Sequence, residues 1–317
     1  MTMPKKIVVV GSINLDLVAY VPRMPAEGET IVGNGFATYP GGKGANQAVA
    51  AARLGGDVVM IGRLGQDQFA TQLLQDLQGA GVNTECVLNV PKPSGSAVIL
   101  VTAQGGNSIV VIPGANYELG PADLDRHIET LRDAAVILAQ LEIPIETVEH
   151  LGELAAKLSV PFLLDPAPAQ ALSPSILRNV TWLTPNESET SSILSHLGSS
   201  DVDLLGREAI SAAAERLLAT GVGNVILKLG SRGVYLAGKD VPPTHIATYR
   251  VDAVDTTAAG DAFNGGFAYA LTHGLPPLEA ARFACAVAAI SVTRAGAQPS
   301  MPTLAEVNAL TNAPLVR

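Results

Sequence analysis

Asp255-Thr256-Thr257-Ala258-Ala259-Gly260-Asp261 sets two carboxylates on either side of a turn too small to cover its own backbone. The flanking residues read as strand, turn and helix. Val251 to Val254 is a short β-type run, while Phe263, Phe267 and Leu271 recur every fourth residue, as do Ala262, Gly266 and Ala270. A helix is therefore predicted to begin near Gly260. Its first amides lack partners inside the helix and carry partial positive charge from the aligned peptide dipoles. With only Ala258, Ala259 and Gly260 around them, these N–H groups stay open to an anion such as a transferring phosphoryl group. Asp261, on the first helical turn, stands where it could take a proton beside that anion. Its place at a helix N-terminus predicts a low pKa and a weak base, which suffices for phosphoryl transfer because the hydroxyl proton leaves late in a loose transition state. An ordinary helix start with Asp in a favoured place is the alternative.

Other constellations follow apolar runs, at the strand ends where open α/β sheets gather ligands. After Ile7 to Val10 comes Gly11-Ser12-Ile13-Asn14-Leu15-Asp16; strand alternation puts Asn14 and Asp16 on one face, either to hold adjacent hydroxyls of a sugar or to meet solvent. Pro40-Gly41-Gly42-Lys43-Gly44-Ala45-Asn46-Gln47 opens a helix. It is not a Walker loop, since Gly44 follows Lys43 and the spacing is absent, but its glycines admit a ligand close to the backbone and Lys43 and Asn46 supply donors. In Thr184-Pro185-Asn186-Glu187-Ser188-Glu189, Asn186 and Glu189 share a helix face and fit two roles equally: positioning a hydrated Mg²⁺ near phosphates, or capping the helix as a box. Lys228 to Gly233 is a glycine-rich turn between two strand-like runs. From Ser291 to Ser300 a helix gives way to an irregular loop, whose exposed carbonyls, with Asp255 and Thr257, could coordinate a monovalent cation; helix capping alone would also explain Gly296.

The surrounding chain must position these groups. At 317 residues, with 48% hydrophobic and 15% charged residues, it is long and apolar enough for a large α/β domain and is not disordered. A net charge of −9 without Lys/Arg blocks argues against nucleic acid and anionic membrane as partners and for a small molecule. Cys86 and Cys285 form neither a disulfide framework nor a metal-ligand pair, so a reducing cytoplasm is expected. No apolar run is long enough to span a bilayer, and the N-terminal run is a first buried strand rather than a signal peptide. Apolar runs alternate with helical patterns from Lys6 to Leu229, predicting one α/β domain over 1–317, three-layered α/β/α around a mostly parallel sheet. Two stretches lack crossover helices: Leu17 to Phe36, and Ser96 to Ile112 with a hairpin turn at Gly105-Gly106-Asn107. They define lid insertions at about 14–40 and 95–112. Ile99 to Val101 and Ile109 to Ile112 are apolar at consecutive positions, so both faces need cover. A β lid covered by a second subunit, as a homodimer, is expected; a fully intramolecular cover is the alternative.

Asp255 to Asp261 resembles the C-terminal signature of the phosphofructokinase-B type carbohydrate kinases, and its Ala-Ala-Gly-Asp form is similar to the ribokinase branch. Many relatives carry Gly at position 258. Gly11 to Asp16, Pro40 to Gln47 and Asn186 to Glu189 resemble further signatures of the family, in the same order from Val10 to about Pro302. The resemblance implies ATP-dependent phosphorylation of D-ribose at its 5-hydroxyl, with Asp261 as base and the Ala258 to Asp261 amides as anion hole. It implies sugar contacts from Asn14, Asp16, Gly42, Lys43, Asn46, Glu142 (in Gln140-Leu141-Glu142) and Asp261. ATP would meet Asn186, Lys228, Leu229, Gly230, Ser231, Arg232, Gly233, Gly260 and Asp261. Cys285 falls where relatives place a residue, commonly polar, beside the adenine; a small buried thiol is its simpler reading. Mg²⁺ would lie near Asn186 and Glu189, and K⁺ at Asp255, Thr257, Ser291, Arg294, Gly296 and Ser300, Arg294 through its carbonyl. A kinase for 2-deoxyribose or another small sugar, or a non-catalytic sugar-binding regulator on the same fold, are the alternatives.

Overall fold

The computed structural model describes residues 6–198, 204–239 and 241–311; the first five residues and the tail after Thr311 lie outside the described residues. Thirteen strands are described: β1 (Lys6–Val10), β2 (Asn14–Val21), β3 (Gly35–Gly41), β4 (Val58–Leu64), β5 (Asn83–Asn89), β6 (Gly95–Thr102) and β7 (Asn107–Ile112), then β8 (Ala134–Ala139), β9 (Phe162–Leu164), β10 (Trp182–Leu183), β11 (Asn224–Lys228), β12 (Val234–Gly238) and β13 (Thr244–Ile246). The helices are α1 (Lys43–Arg53), α2 (Gln68–Gly79), α3 (Pro121–Arg126), α4 (Ile128–Arg132), α5 (Ile145–Leu158), α6 (Pro174–Arg178), α7 (Glu187–His196), α8 (Arg207–Leu218), α9 (Ala259–Thr272), α10 (Pro277–Ser291) and α11 (Leu304–Thr311).

Nine strands form one sheet in the order β13-β12-β11-β10-β9-β8-β1-β4-β5. Pairing is parallel from β11 to β5 and antiparallel at β11–β12 and β12–β13. In β1, Ile7 to Val10 are all fully buried, as a central strand between two helical layers requires. One core gathers Ile7 and Val9 with α1, α2, α9 and α10; the other gathers Val8 and Val10 with α5 and α8. The three-layer expectation holds. The Val251 to Val254 run, in contrast, is not a strand: it is irregular chain, tied by the Val254 and Asp255 amides to the carbonyl of Val292.

The second sheet has the order β3-β2-β6-β7, antiparallel except for the β2–β6 pair, with the hairpin turn between Thr102 and Asn107. Its Ile109, Val110, Val111 and Ile112 are 54, 62, 46 and 40% exposed, so both faces of β7 lack cover within the chain.

This topology places the site. Neighbouring parallel strands β11, β10, β9, β8 and β1 end side by side, and the residues just beyond or at their ends are Lys228, Asn186, Asp165, Gln140 to Glu142, and Gly11 to Asn14. Helices α1 and α9 add the rest. A Cβ on Gly265 would lie 2.6 Å from the Ala50 methyl and 2.7 Å from the Gln47 carbonyl, so only glycine lets α9 approach α1 closely enough to bring Asp261 against Asn46 and Gln47.

Candidate active site

The turn before α9 is built as its small residues predict. Ala258 is left-handed, φ 58°, a conformation glycine adopts freely and alanine at a cost of about 1–2 kcal/mol. The helix closes with the Ala262 amide donating to Ala258 oxygen at 2.8 Å, and the Ala259 amide reaches Thr256 oxygen at 3.3 Å. Among the described residues, the Gly260 and Asp261 amides find no carbonyl partner, and Gly260 lines a cavity of about 540 Å³. That cavity also touches Lys43, Asp165, Asn186, Glu189, Lys228, Gly230, Gly233 and Cys285.

Asp261 is 4% exposed. Its two oxygens accept from the side-chain amides of Asn46 (3.0 Å) and Gln47 (3.1 Å). The expected low pKa is reversed: burial pushes the carboxyl up, and the opposing charge of Lys43 and the two amide hydrogen bonds do not cancel it. A buried carboxylate loses more hydration than the first turn of the helix returns. Asp261 is thereby a stronger base than its position predicts. Burial opposes the charge on Lys43, but Asp261, Asp165, Glu142 and Glu189 together hold its ammonium more firmly protonated than a free lysine.

The residues expected from the sequence to meet a sugar cluster about Lys43 and Asp261. Gly42, φ 87°, brings the start of α1 against β2, where a Cβ would lie 2.7 Å from the Asn14 nitrogen. Glu142 accepts from Ser12 Oγ (2.5 Å) and from the Lys43 amide (3.1 Å). Asn14 accepts from Asn116 Nδ2 at 2.7 Å. Burial first, then Glu142 and Asp261, raise Asp16 to about 7. Asp16, Asn14, Asn46 and Glu142 do not line the cavity beside the Gly260 turn; they adjoin it through Lys43 and Asp261.

The start of α7 is a closed helix end. Asn186 Oδ1 accepts from the Glu189 amide (2.9 Å), and Glu189 Oε2 accepts from the Asn186 amide (2.7 Å), with Asn186 Nδ2 donating to Glu189 Oε1 (2.7 Å). The capping alternative is thus realised, with both residues facing the cavity. Both Glu189 oxygens are engaged, and among the described residues no group of three or more His, Cys, Asp or Glu could hold a metal. With those oxygens engaged, a divalent ion would meet this pair only through water.

A family model described as pfkB family carbohydrate kinase matches residues 4–304. The chain belongs to that family. It is 41% identical over 308 residues to a ribokinase of Bacillus subtilis, covering 96% of this chain and 99% of the relative. It is equally 41% identical, over 304 residues, to a deoxyribokinase of Salmonella typhimurium, covering 95% and 97%. Among solved structures, Arabidopsis thaliana ribokinase complexed with ribose and ATP superposes with a TM-score of 0.90 at 35% identity, covering 97% and 98% of the two chains.

Within this pfkB-family site the turn after β11 divides. Lys228, Gly230 and Gly233 line the cavity, but Leu229 is packed in the core. Ser231 is exposed, and Arg232 turns its guanidinium to Glu187 and, at 2.9 Å, to the Leu204 carbonyl. Cys285 is a buried free thiol, raised by burial to about 12 and so inert. Asp255 ties the turn before α9 to the loop after α10, accepting from the Thr257 amide (2.9 Å) and the Gly296 amide (2.8 Å). Ser291 and Ser300 donate their hydroxyls to the Ala288 and Ala297 carbonyls and keep the lone pairs of those oxygens, while Arg294 pairs with Glu306 and has only its backbone oxygen to offer a cation. That donor set suits a hard monovalent ion.

Three residues escaped the sequence reading. Asp165 follows directly on the Pro161 to Leu164 run, where the strand-end rule would have found it. Gln47 stands next to Asn46 in the glycine-rich motif, but its side-chain partners lie far off in sequence. Asn116, in a 3-10 turn, had no local signal.

Proposed function

We propose that this chain transfers the γ-phosphoryl group of ATP to the 5-hydroxyl of D-ribose. One observation carries the reading: a buried carboxylate, Asp261, held by two amides and placed beside a helix end whose first amides are open. The sugar oxygen bonds to phosphorus as the bond to the ADP oxygen breaks, and Asp261 takes the hydroxyl proton. The Ala258 to Asp261 turn and Lys43 stabilise charge on the transferring group. Asn14, Asp16, Gly42, Lys43, Asn46 and Glu142 hold the sugar. Asn186, Lys228, Gly230 and Gly233 meet the nucleotide, with Leu229, Ser231, Arg232 and Cys285 supporting that wall. Mg²⁺ neutralises phosphate charge when bound, near Asn186 and Glu189. K⁺ would be held by Asp255, Thr257, Ser291, Arg294, Gly296 and Ser300, steadying the turn. Relatives named for ribose and for deoxyribose are equally similar, which favours 2-deoxyribose as the second reading.

ATP consumption with ribose, 2-deoxyribose, fructose and adenosine, with and without K⁺, tests this. Ribose-selective turnover supports it; selectivity for 2-deoxyribose installs the second reading, and sugar binding without turnover leaves a binding module. No described helix is long and apolar enough to cross a membrane, and a cytoplasmic enzyme is our reading. The segments 14–40 and 95–112 act as a lid on the single domain, and a second copy covers the apolar residues of β7. Val110→Glu should then yield monomers by sedimentation; an unchanged mass would dismiss that interface.

A further inference from the structure

A buried ion pair between Asp165 and Lys228 lies in the wall of the cavity. Asp165, 1% exposed at the end of β9, accepts from Lys228 Nζ through Oδ1 at 2.8 Å and from Gln47 Nε2 through Oδ2 at 2.9 Å. The same Gln47 nitrogen donates to Asp261 Oδ1 at 3.1 Å, and Gln47 Oε1 accepts from Gln140 Nε2 at 2.8 Å. Every hydrogen-bonding group of the Gln47 side chain is therefore committed, which fixes the direction of its amide. Lys228 lies at the other end: its nitrogen would sit 3.2 Å from a Cβ placed on Gly260, so the ammonium abuts the open turn. A buried ion pair seldom adds net stability over apolar packing, and this one joins two places where the chemistry occurs.

We propose that Asp165 is a positioning residue for phosphoryl transfer. Through Gln47 it sets the Asp261 carboxylate, and directly it sets the Lys228 ammonium beside the anion-hole turn, so that the group receiving the proton and a cation facing the phosphoryl group move as one array. The proposal rests on the kinase reading above. Asn at 165 would keep the shape but replace one acceptor by a donor, turned toward either Gln47 or Lys228, both of which are themselves donors.

The test is steady-state kinetics of full-length Asp165→Asn, Gln47→Leu and the double variant, with sugar affinity by calorimetry and the pH profile of kcat/KM. Loss of kcat by about 100-fold, the scale of a misplaced catalytic group, is expected with sugar affinity within about twofold. The double variant should lose no more than the worse single one, because both act through one array. Asp261 is faced by Lys43, Asp16 and Asp165; with Asp165 neutral, the acid limb of the profile should move to lower pH. Additive losses, a stationary acid limb, or recovery of kcat on raising Mg²⁺ would each overturn the proposal, the last by making Asp165 part of a metal site. If Asp165→Asn does not fold, Gln47→Leu, which cuts the link to Asp261 and leaves both charges of the ion pair in place, must by itself lower kcat at unchanged sugar affinity. Wild-type turnover with any sugar separates this outcome from failure of the kinase reading itself.

Discussion

Two helix starts face the same cavity and solve the same problem in opposite ways. Helix α7 closes its free amides with a reciprocal box between Asn186 and Glu189, whereas α9 has Ala258 at its start and leaves the Gly260 and Asp261 amides open. Both carry an acid on the first turn, but Glu189 spends its oxygens on its own cap and Asp261 receives its hydrogen bonds from another helix, α1. An acid near a helix start is therefore not informative by itself. What distinguishes a chemical end from a structural one is whether the backbone donors have been used.

The contrast breaks most sharply at Asp261. Asp261→Asn should lower kcat by roughly 10²–10⁴-fold, the span of general-base catalysis, while sugar affinity by calorimetry stays near wild type. Next comes the open turn itself. Ala258→Val puts a β-branched residue at a left-handed position and should cost about 10- to 100-fold in kcat, the scale set by losing part of one anion-hole donor. Ala258→Gly should leave turnover within about twofold, since glycine takes that conformation without strain. A comparable loss for both variants would mean that the turn's shape is not what matters.

Asp16, outside both helix starts, sharpens the comparison by pH. Its folded pKa of about 7 lies above its ordinary 3.8, so the folded state holds this proton more tightly than the unfolded chain. The associated stability is complete below 3.8 and is lost as pH rises through 7. Asp16→Asn should therefore unfold later than wild type at pH 8, by on the order of 1–3 kcal/mol in denaturant titration, yet bind sugar more weakly. In the wild type the sugar KM should rise as pH falls below about 7, because the protonated acid accepts fewer hydroxyl hydrogen bonds. The smallest effect belongs to the closed end. Asn186→Ala should cost about 1 kcal/mol of stability, as loss of a cap does, with a change in kcat below about tenfold. If Asn186→Ala instead matched Asp261→Asn, the division between the two helix starts would fail.

Most of the scaffold was legible because its signals are local. Continuous apolar runs marked β1, β4, β8, β9 and β11, and the fourfold spacing of Phe263, Phe267 and Leu271 marked α9. Short elements without such spacing, α3, α4, α6 and β13, were not. Val251 to Val254 misled because β-type residues need a neighbouring strand to pair with, and this segment has the Val292 carbonyl instead. The open turn before Asp261 was legible from residue size, as the unpaired Gly260 and Asp261 amides show among the described residues. The raised pKa of Asp261 was not, because burial depends on how closely α1 and α9 pack, which Gly265 permits but does not announce. Gln47 and Asp165 take their roles from partners 63 to 214 residues away.

The strand β2 carries one last consequence. Asn14 and Asp16, the groups assigned to the sugar, stand on the small sheet, while Lys228 ends a strand of the large sheet and the open turn starts a helix packed against it. Substitutions on β2 would thus revise which hydroxyls are met while leaving the open turn and Lys228 in place, with Asp16 alone reaching Asp261 by its charge. A lineage built this way can change its diet by editing a few strand positions and inherit its chemistry intact, which accords with relatives named for two different pentoses standing at equal distance from this chain.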